Sequence, residues 1–89
     1  MALSKKRTGA IPEFPPPNAR GNFPAAETLQ VIIARQLIER RRQAGLTQAE
    51  VAKRAGIRQE TVSRLESGKH APTVRTVEKI DRVLADAGA

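Results

Sequence analysis

The 89-residue chain has no cysteine, tryptophan or tyrosine, one histidine, and two aromatic residues, Phe14 and Phe23. Without cysteine there is no disulfide framework, thiolate zinc site or thiol nucleophile, which is compatible with a reducing compartment. Two aromatic rings are too few for a single-strand binder that stacks successive bases on aromatic platforms. His70 has no partner at metal-ligand spacing, and nothing orients a Ser63–His70 pair into a nucleophilic triad. No catalytic residue, metal or cofactor is therefore expected. The longest uninterrupted apolar run is Val31 to Ala34, against the roughly twenty residues a bilayer-spanning helix needs, so no membrane association is expected. The basic start, Ser4-Lys-Lys-Arg7, leads into prolines rather than an apolar segment, unlike a secretory signal.

What the chain does have is positive charge. Sixteen Lys and Arg against nine Asp and Glu leave a formal charge of +7. A balance that basic points to a polyanion or an acidic partner. Length and a 39% apolar content allow one small domain with a core.

Composition divides the chain near residue 24, because five of the six prolines lie in residues 1–24. Residues 1–23 show no helical periodicity, and Pro15-Pro16-Pro17 favours extended polyproline II. This stretch reads as a flexible, Pro-rich basic tail, with Lys5, Lys6, Arg7 and Arg20 against Glu13. Phe23 is the one tail residue expected to pack, against Leu29 and Ile32. Residues 24–89 read as the folded unit.

Four helices are predicted in that unit. The first runs from Pro24 to about Ala44, with Ala26, Gln30, Ile33, Leu37 and Arg41 on one face and Leu29, Ile32 and Gln36 on a neighbouring stripe. Gly45 ends it. Thr47-Gln-Ala-Glu50 is a capping box for a second helix ending at Ala55, with Leu46 and Val51 as a hydrophobic staple. Gly56 turns the chain into a short third helix, about Gln59 to Ser67. Thr73 caps a fourth, Val74 to Ala87, whose apolar stripe is Val74, Val77, Ile80 and Leu84. There is no strand signal and no internal repeat.

The informative segment is Thr47 to Gly68. Val51, Ala52 and Ala55 are small enough for two short helices to approach closely, and Val62 and Leu65 turn the third helix inward. Arg58, Gln59, Glu60, Ser63 and Arg64 then face outward. Arg can bind guanine and Gln adenine in a bidentate way on major-groove edges.

Gly45-Leu-Thr-Gln-Ala-Glu-Val-Ala-Lys-Arg-Ala-Gly-Ile, followed by Thr61-Val-Ser-Arg-Leu-Glu-Ser-Gly-Lys69 and Pro72, resembles the phage-repressor, Xre-like helix-turn-helix family over roughly residues 33–85. The resemblance implies an all-α bundle of four or five helices that binds operator DNA as a homodimer. Many relatives carry a fifth helix that helps dimerise. Motif by motif, it makes Arg58, Gln59, Glu60 and Arg64 base readers, and Gln48, Ser67, Lys69 and His70 phosphate contacts, with Gln48 also bracing Gln59. It further implies an internal ion pair between Arg41 and Glu66. Arg40 and Arg42 read equally well as a solvated helix end suited to the dipole, and Glu60 as a brace for a neighbour.

The function these features imply is a sequence-specific repressor on double-stranded DNA, cytoplasmic in a bacterium and associated with the nucleoid. Small relatives of this kind include HigA-type antitoxins, which regulate their own operon and bind a RelE-like toxin. Such toxins are basic, so contact with this basic chain would be largely apolar, through Leu29, Ile32, Phe14 and Phe23. The alternative is a protein-interaction adaptor that uses the same helical scaffold without DNA.

Overall fold

A computed structural model describes residues 11–88, with four helices among them: α1 (Ala25–Gln43), α2 (Gln48–Ala55), α3 (Gln59–Glu66) and α4 (Val74–Asp86). No strand occurs among the described residues. The all-α expectation therefore holds, and each boundary falls within about a residue of its predicted place, ordinary scatter for helix ends. Lys5, Lys6 and Arg7 lie outside the described residues.

The boundaries follow from local chemistry. Pro24 is the N-cap of α1 and has no side chain to cap with, but its carbonyl accepts from the Thr28 N–H at 3.0 Å and the Thr28 hydroxyl at 2.7 Å. At the other end Gly45 donates to the Arg42 carbonyl and Leu46 to the Arg41 carbonyl. These two bonds satisfy carbonyls that the helix leaves open and fold Leu46 back into the core. The capping box of α2 forms in both directions: the Glu50 N–H donates to Thr47 Oγ1 at 3.1 Å, and the Thr47 N–H donates to Glu50 Oε1 at 2.8 Å. Thr73 caps α4 by accepting from the Thr76 N–H.

The core is built from Leu37 of α1, Leu46, Val51 and Ala52 of α2, Val62 and Leu65 of α3, and Ile80, Val83 and Leu84 of α4. α3 packs against both α1 and α2, and α2 also packs against α4. Two details differ from the periodicity reading. α1 buries Val31, Ala34, Leu37 and Ile38, whereas Ile33 is half-buried and Ala26 exposed. In α4 the stripe reaches the core only from Ile80 onward; Val74 remains 74% exposed. Both have one cause: the first half of α1 does not close against the first turn of α4. An apolar groove lies between them instead, lined by Ala26, Leu29, Ile33, Pro72, Val74 and Val77.

Residues 11–23 are not helical, yet part of them is held on α1. Asn18 Oδ1 accepts from the N–H groups of Arg20 and Asn22, and the Asn18 N–H donates to the Asn22 carbonyl. This Asx-type turn sends residues 11–17 back along the helix. Arg35 Nε donates to the Pro12 carbonyl at 2.9 Å, and its guanidinium carbon sits 4.3 Å from the Phe14 ring centroid. Phe23, the tail residue expected to pack, is 55% exposed. The turn gives the contact to Pro12 and Phe14.

One charged group is buried. Glu66 is 5% exposed, and its carboxylate accepts Arg41 Nε at 2.7 Å and Arg41 Nη2 at 2.9 Å. Gln48 Nε2 adds a bond to the same carboxylate at 2.9 Å, and Arg41 Nη1 donates to the Leu46 carbonyl. No buried side-chain polar atom among the described residues lacks a hydrogen-bond partner. The expected internal ion pair is thus bidentate and joins α1 to α3, with α2 as a third party.

Glu66→Ala would leave the Arg41 guanidinium buried without its anion. It should cost about 3–5 kcal/mol. At about 4–8 °C per kcal/mol for a domain of this size, the circular-dichroism melt should fall by at least about 12 °C. A shift of only a few degrees would mean that the pair is solvated. A second prediction concerns acid. The Thr47 N–H, then the Thr47 hydroxyl, hold the Glu50 carboxyl below its ordinary value, with a smaller contribution from Arg54. A carboxylate so depressed stabilises the fold above the unfolded Glu value and loses that effect as pH falls through the folded one. Glu50→Gln should therefore melt below the wild type near neutral pH, and the gap should close in acid. An equal gap at every pH would show that the charge of Glu50 is not its source.

Candidate nucleic-acid interface

The two short helices α2 and α3 meet through a turn that only certain residues permit. Gly56 has φ +72°, a left-handed conformation that a Cβ disfavours. The Gly56 and Ile57 N–H groups donate to the carbonyls of Lys53 and Ala52, which closes α2 and launches Arg58 in extended backbone as the N-cap of α3. α3 buries Val62, Leu65 and Glu66, and these three fix its rotation. Gln59, Glu60, Ser63 and Arg64 are consequently exposed together, with Arg58 at their N-terminal end.

The outward face carries the four residues expected to read bases, and none is engaged in the core. Arg58 Nη1 lies 3.7 Å from Glu60 Oε1, with both side chains largely exposed. A pair so solvated holds the two loosely, at under about 1 kcal/mol. Glu60 thus stands beside Arg58, as the bracing alternative anticipated.

The residues expected at phosphates fall into two groups. Lys69 and His70 are exposed just beyond the C-terminus of α3, and His70 lines a concavity with Arg64, Thr61 and Thr76. Ser67 is turned to local work: its hydroxyl donates to the Arg64 carbonyl at 2.6 Å and accepts from the Lys69 N–H at 3.2 Å. Gln48 lines a cleft at the N-terminus of α2 with Arg41, Arg42, Thr47 and Gln59. Its amide nitrogen is bonded to Glu66, so it braces the buried ion pair. Unpaired N–H groups at a helix start, next to arginines, suit an anion. Basic groups therefore flank the exposed face of α3 at both ends.

Several contacts around this surface were not legible locally. Arg40 Nη1 lies 2.6 Å from Asp81 Oδ1 and ties α1 to α4, where the sequence suggested a solvated helix end. Arg35 is engaged with Pro12 and Phe14. The partners are 41 and 23 residues apart, and no spacing rule connects residues at that range.

Comparison with known proteins agrees with this geometry. The chain is similar to an HTH-type (helix-turn-helix) transcriptional regulator of Archaeoglobus fulgidus, 50% identical over 40 residues that cover 45% of this chain and 57% of the relative. A second regulator so described from that organism is 49% identical over 39 residues, covering 44% and 55%. One from Methanothermobacter thermautotrophicus is 39% identical over 46 residues, covering 52% and 67%. The chain thus spans a little over half the length of the two Archaeoglobus relatives. No solved structure matches it. The profile of a family described as Helix-turn-helix matches residues 37–85, more than half of the chain and all of α2, α3 and α4, and the chain belongs to that family.

Proposed function

We propose that this protein is a sequence-specific transcriptional regulator that binds double-stranded DNA, with α3 in the major groove. The observation that carries this reading is the exposed face of α3, where Arg58, Gln59 and Arg64 stand free of the core. These are the side chains whose forks and amides match guanine and adenine edges. Lys69 and His70 at one end, and the Gln48 cleft at the other, supply the phosphate contacts that set register without reading sequence. An adaptor has no use for such side chains on one short helix. Selection of bound duplexes from a random pool tests the reading. Recovery of a defined motif supports it, and a pool that stays random overturns it.

The finer reading is a repressor that binds its operator as a homodimer, two copies of α3 reaching two half-sites about one helical turn apart. We extend it to the antitoxin of a toxin–antitoxin pair. The apolar groove between α1 and α4 supports that extension, because a basic toxin would need a contact that does not depend on charge. Leu29 is 56% and Val74 74% exposed beside it. Co-expression with the product of an adjacent small reading frame tests this: rescue of growth supports it, and rescue that survives Leu29→Asp with Val74→Asp places the contact elsewhere.

Two substitutions separate base reading from backbone grip. Arg64→Ala should weaken binding to the selected duplex by about 1–3 kcal/mol and relax preference at one base position. Lys69→Ala should weaken matched and mismatched duplexes alike and reduce the salt slope by about one. Anisotropy titrations on both duplexes over a salt series distinguish the two, and identical profiles would show the roles to be wrongly divided.

A further inference from the structure

Residues 11–17 lie against α1 in a definite direction. Ile11 sits beside Ile38, Glu39 and Arg42, near the end of α1. Pro12 is tied to Arg35 and Phe14 lies over it. Pro15 sits beside Glu27, Gln30 and Val31, near the start. The segment therefore runs antiparallel to α1, and the chain before Ile11 is directed past the helix C-terminus. That is where the cleft at the N-terminus of α2 opens, and Arg42 lines both places.

The anchor is specific as well as directional. Gly68, which ends α3 with φ +73°, is buried, and a Cβ added there would come within 3.0 Å of Pro12 Cβ and 3.3 Å of Val31 Cγ2. Pro12 thus closes over the glycine between α3 and Lys69. Arg35 contributes its charge to this joint through the carbonyl bond and the Phe14 ring, a cation–π contact. The Asn18 turn holds the other end. A segment without helical structure is fixed at Pro12, Phe14 and Asn18, and its free direction leads to Lys5-Lys6-Arg7.

We propose that Ile11–Pro17 is a clasp on α1 that presents Lys5, Lys6 and Arg7 as an arm on DNA phosphates flanking the N-terminus of α2. The inference rests on the DNA-binding reading above and assigns the clasp and the arm their roles in it. Extended chain reaches at most about 3.3–3.6 Å per residue. Arg7 thus lies within about 14 Å of Ile11 and Lys5 within about 22 Å, enough to reach phosphates beyond those that Gln48 and Arg42 face. Three cations placed there lengthen the footprint and add affinity without sequence information.

The test uses the full chain, the selected duplex, and two variants with point changes only. Replacing Lys5, Lys6 and Arg7 with Ser should lower the counterion-release slope by about 2–3, at roughly 0.9 per phosphate. Its deficit against the wild type should therefore shrink about 10- to 40-fold between about 50 and about 200 mM salt. Hydroxyl-radical protection should retract at the outer phosphates only. Pro12→Ala with Phe14→Ala keeps every charge and breaks the clasp. It should lose the same outer protection and weaken binding at low salt, with the helical melt retained. A wild-type slope and footprint in the triple variant overturn the arm. Wild-type affinity and footprint in the double variant overturn the clasp. Loss of helical melting in the double variant does the same, because the segment would then be part of the core. If the wild type selects no duplex, the DNA-binding reading itself fails, which is distinct from a wild type that binds with no contribution from the arm.

Discussion

The bidentate contact between Arg41 and Glu66 is the constraint on which the rest of this small domain depends. It places a carboxylate at 5% exposure in a protein with few large side chains to bury. Charges so desolvated are tolerable only when paired and fully hydrogen-bonded. Arg41 meets Glu66 with two nitrogens and the Leu46 carbonyl with the third, and Gln48 meets the same carboxylate. The end of α1, the loop before α2, the start of α2 and the end of α3 are thereby held by one network. Such a network has little tolerance for displacement, since a half-satisfied one costs more than an apolar contact would.

The functional surface inherits its precision from that joint. α3 is only eight residues long, too short to be stable alone. Val62, Leu65 and Glu66 set its rotation, and Arg58, Gln59, Ser63 and Arg64 face outward as a consequence. Gln48 works in both places: its amide is bound to the buried pair while its residue lines the cleft beside Gln59. Buried polar chemistry in α1 and α3 is thus coupled to the position of groups that would meet a phosphate. The same division of labour holds at the far end of α3, where Ser67 satisfies the Arg64 carbonyl and Lys69 is left exposed.

Net charge alone does not describe this surface. Arg40 is paired with Asp81, Arg41 with Glu66, and Arg35 is joined to Pro12 and Phe14. Three cations of α1 therefore act within the protein. The cations at Arg58, Arg64 and Lys69 stand at the exposed face and its edge. Charge sets the class of partner, but the distribution of ion pairs decides which residues face it.

The sequence by itself determined the local features. The capping box Thr47–Glu50, the Thr73 cap, the turn at Gly56 and the alternation of Val62 and Leu65 with polar residues are read over three or four positions. Their physics is equally local, resting on backbone donors, a left-handed φ and helical period. The helix-turn-helix and the outward set on α3 were legible for that reason. The Arg41–Glu66 pair was reachable only through the resemblance to a family. Tertiary structure alone decided what depends on distant segments meeting: Val31, Ala34 and Ile38 as the buried face of α1, Val74 left exposed beside a groove, Arg40 on Asp81, and Pro12 over Gly68. Period states which residues share a face of a helix, but the direction in which that face points is set by packing, because many orientations bury similar apolar area and long-range contacts choose among them.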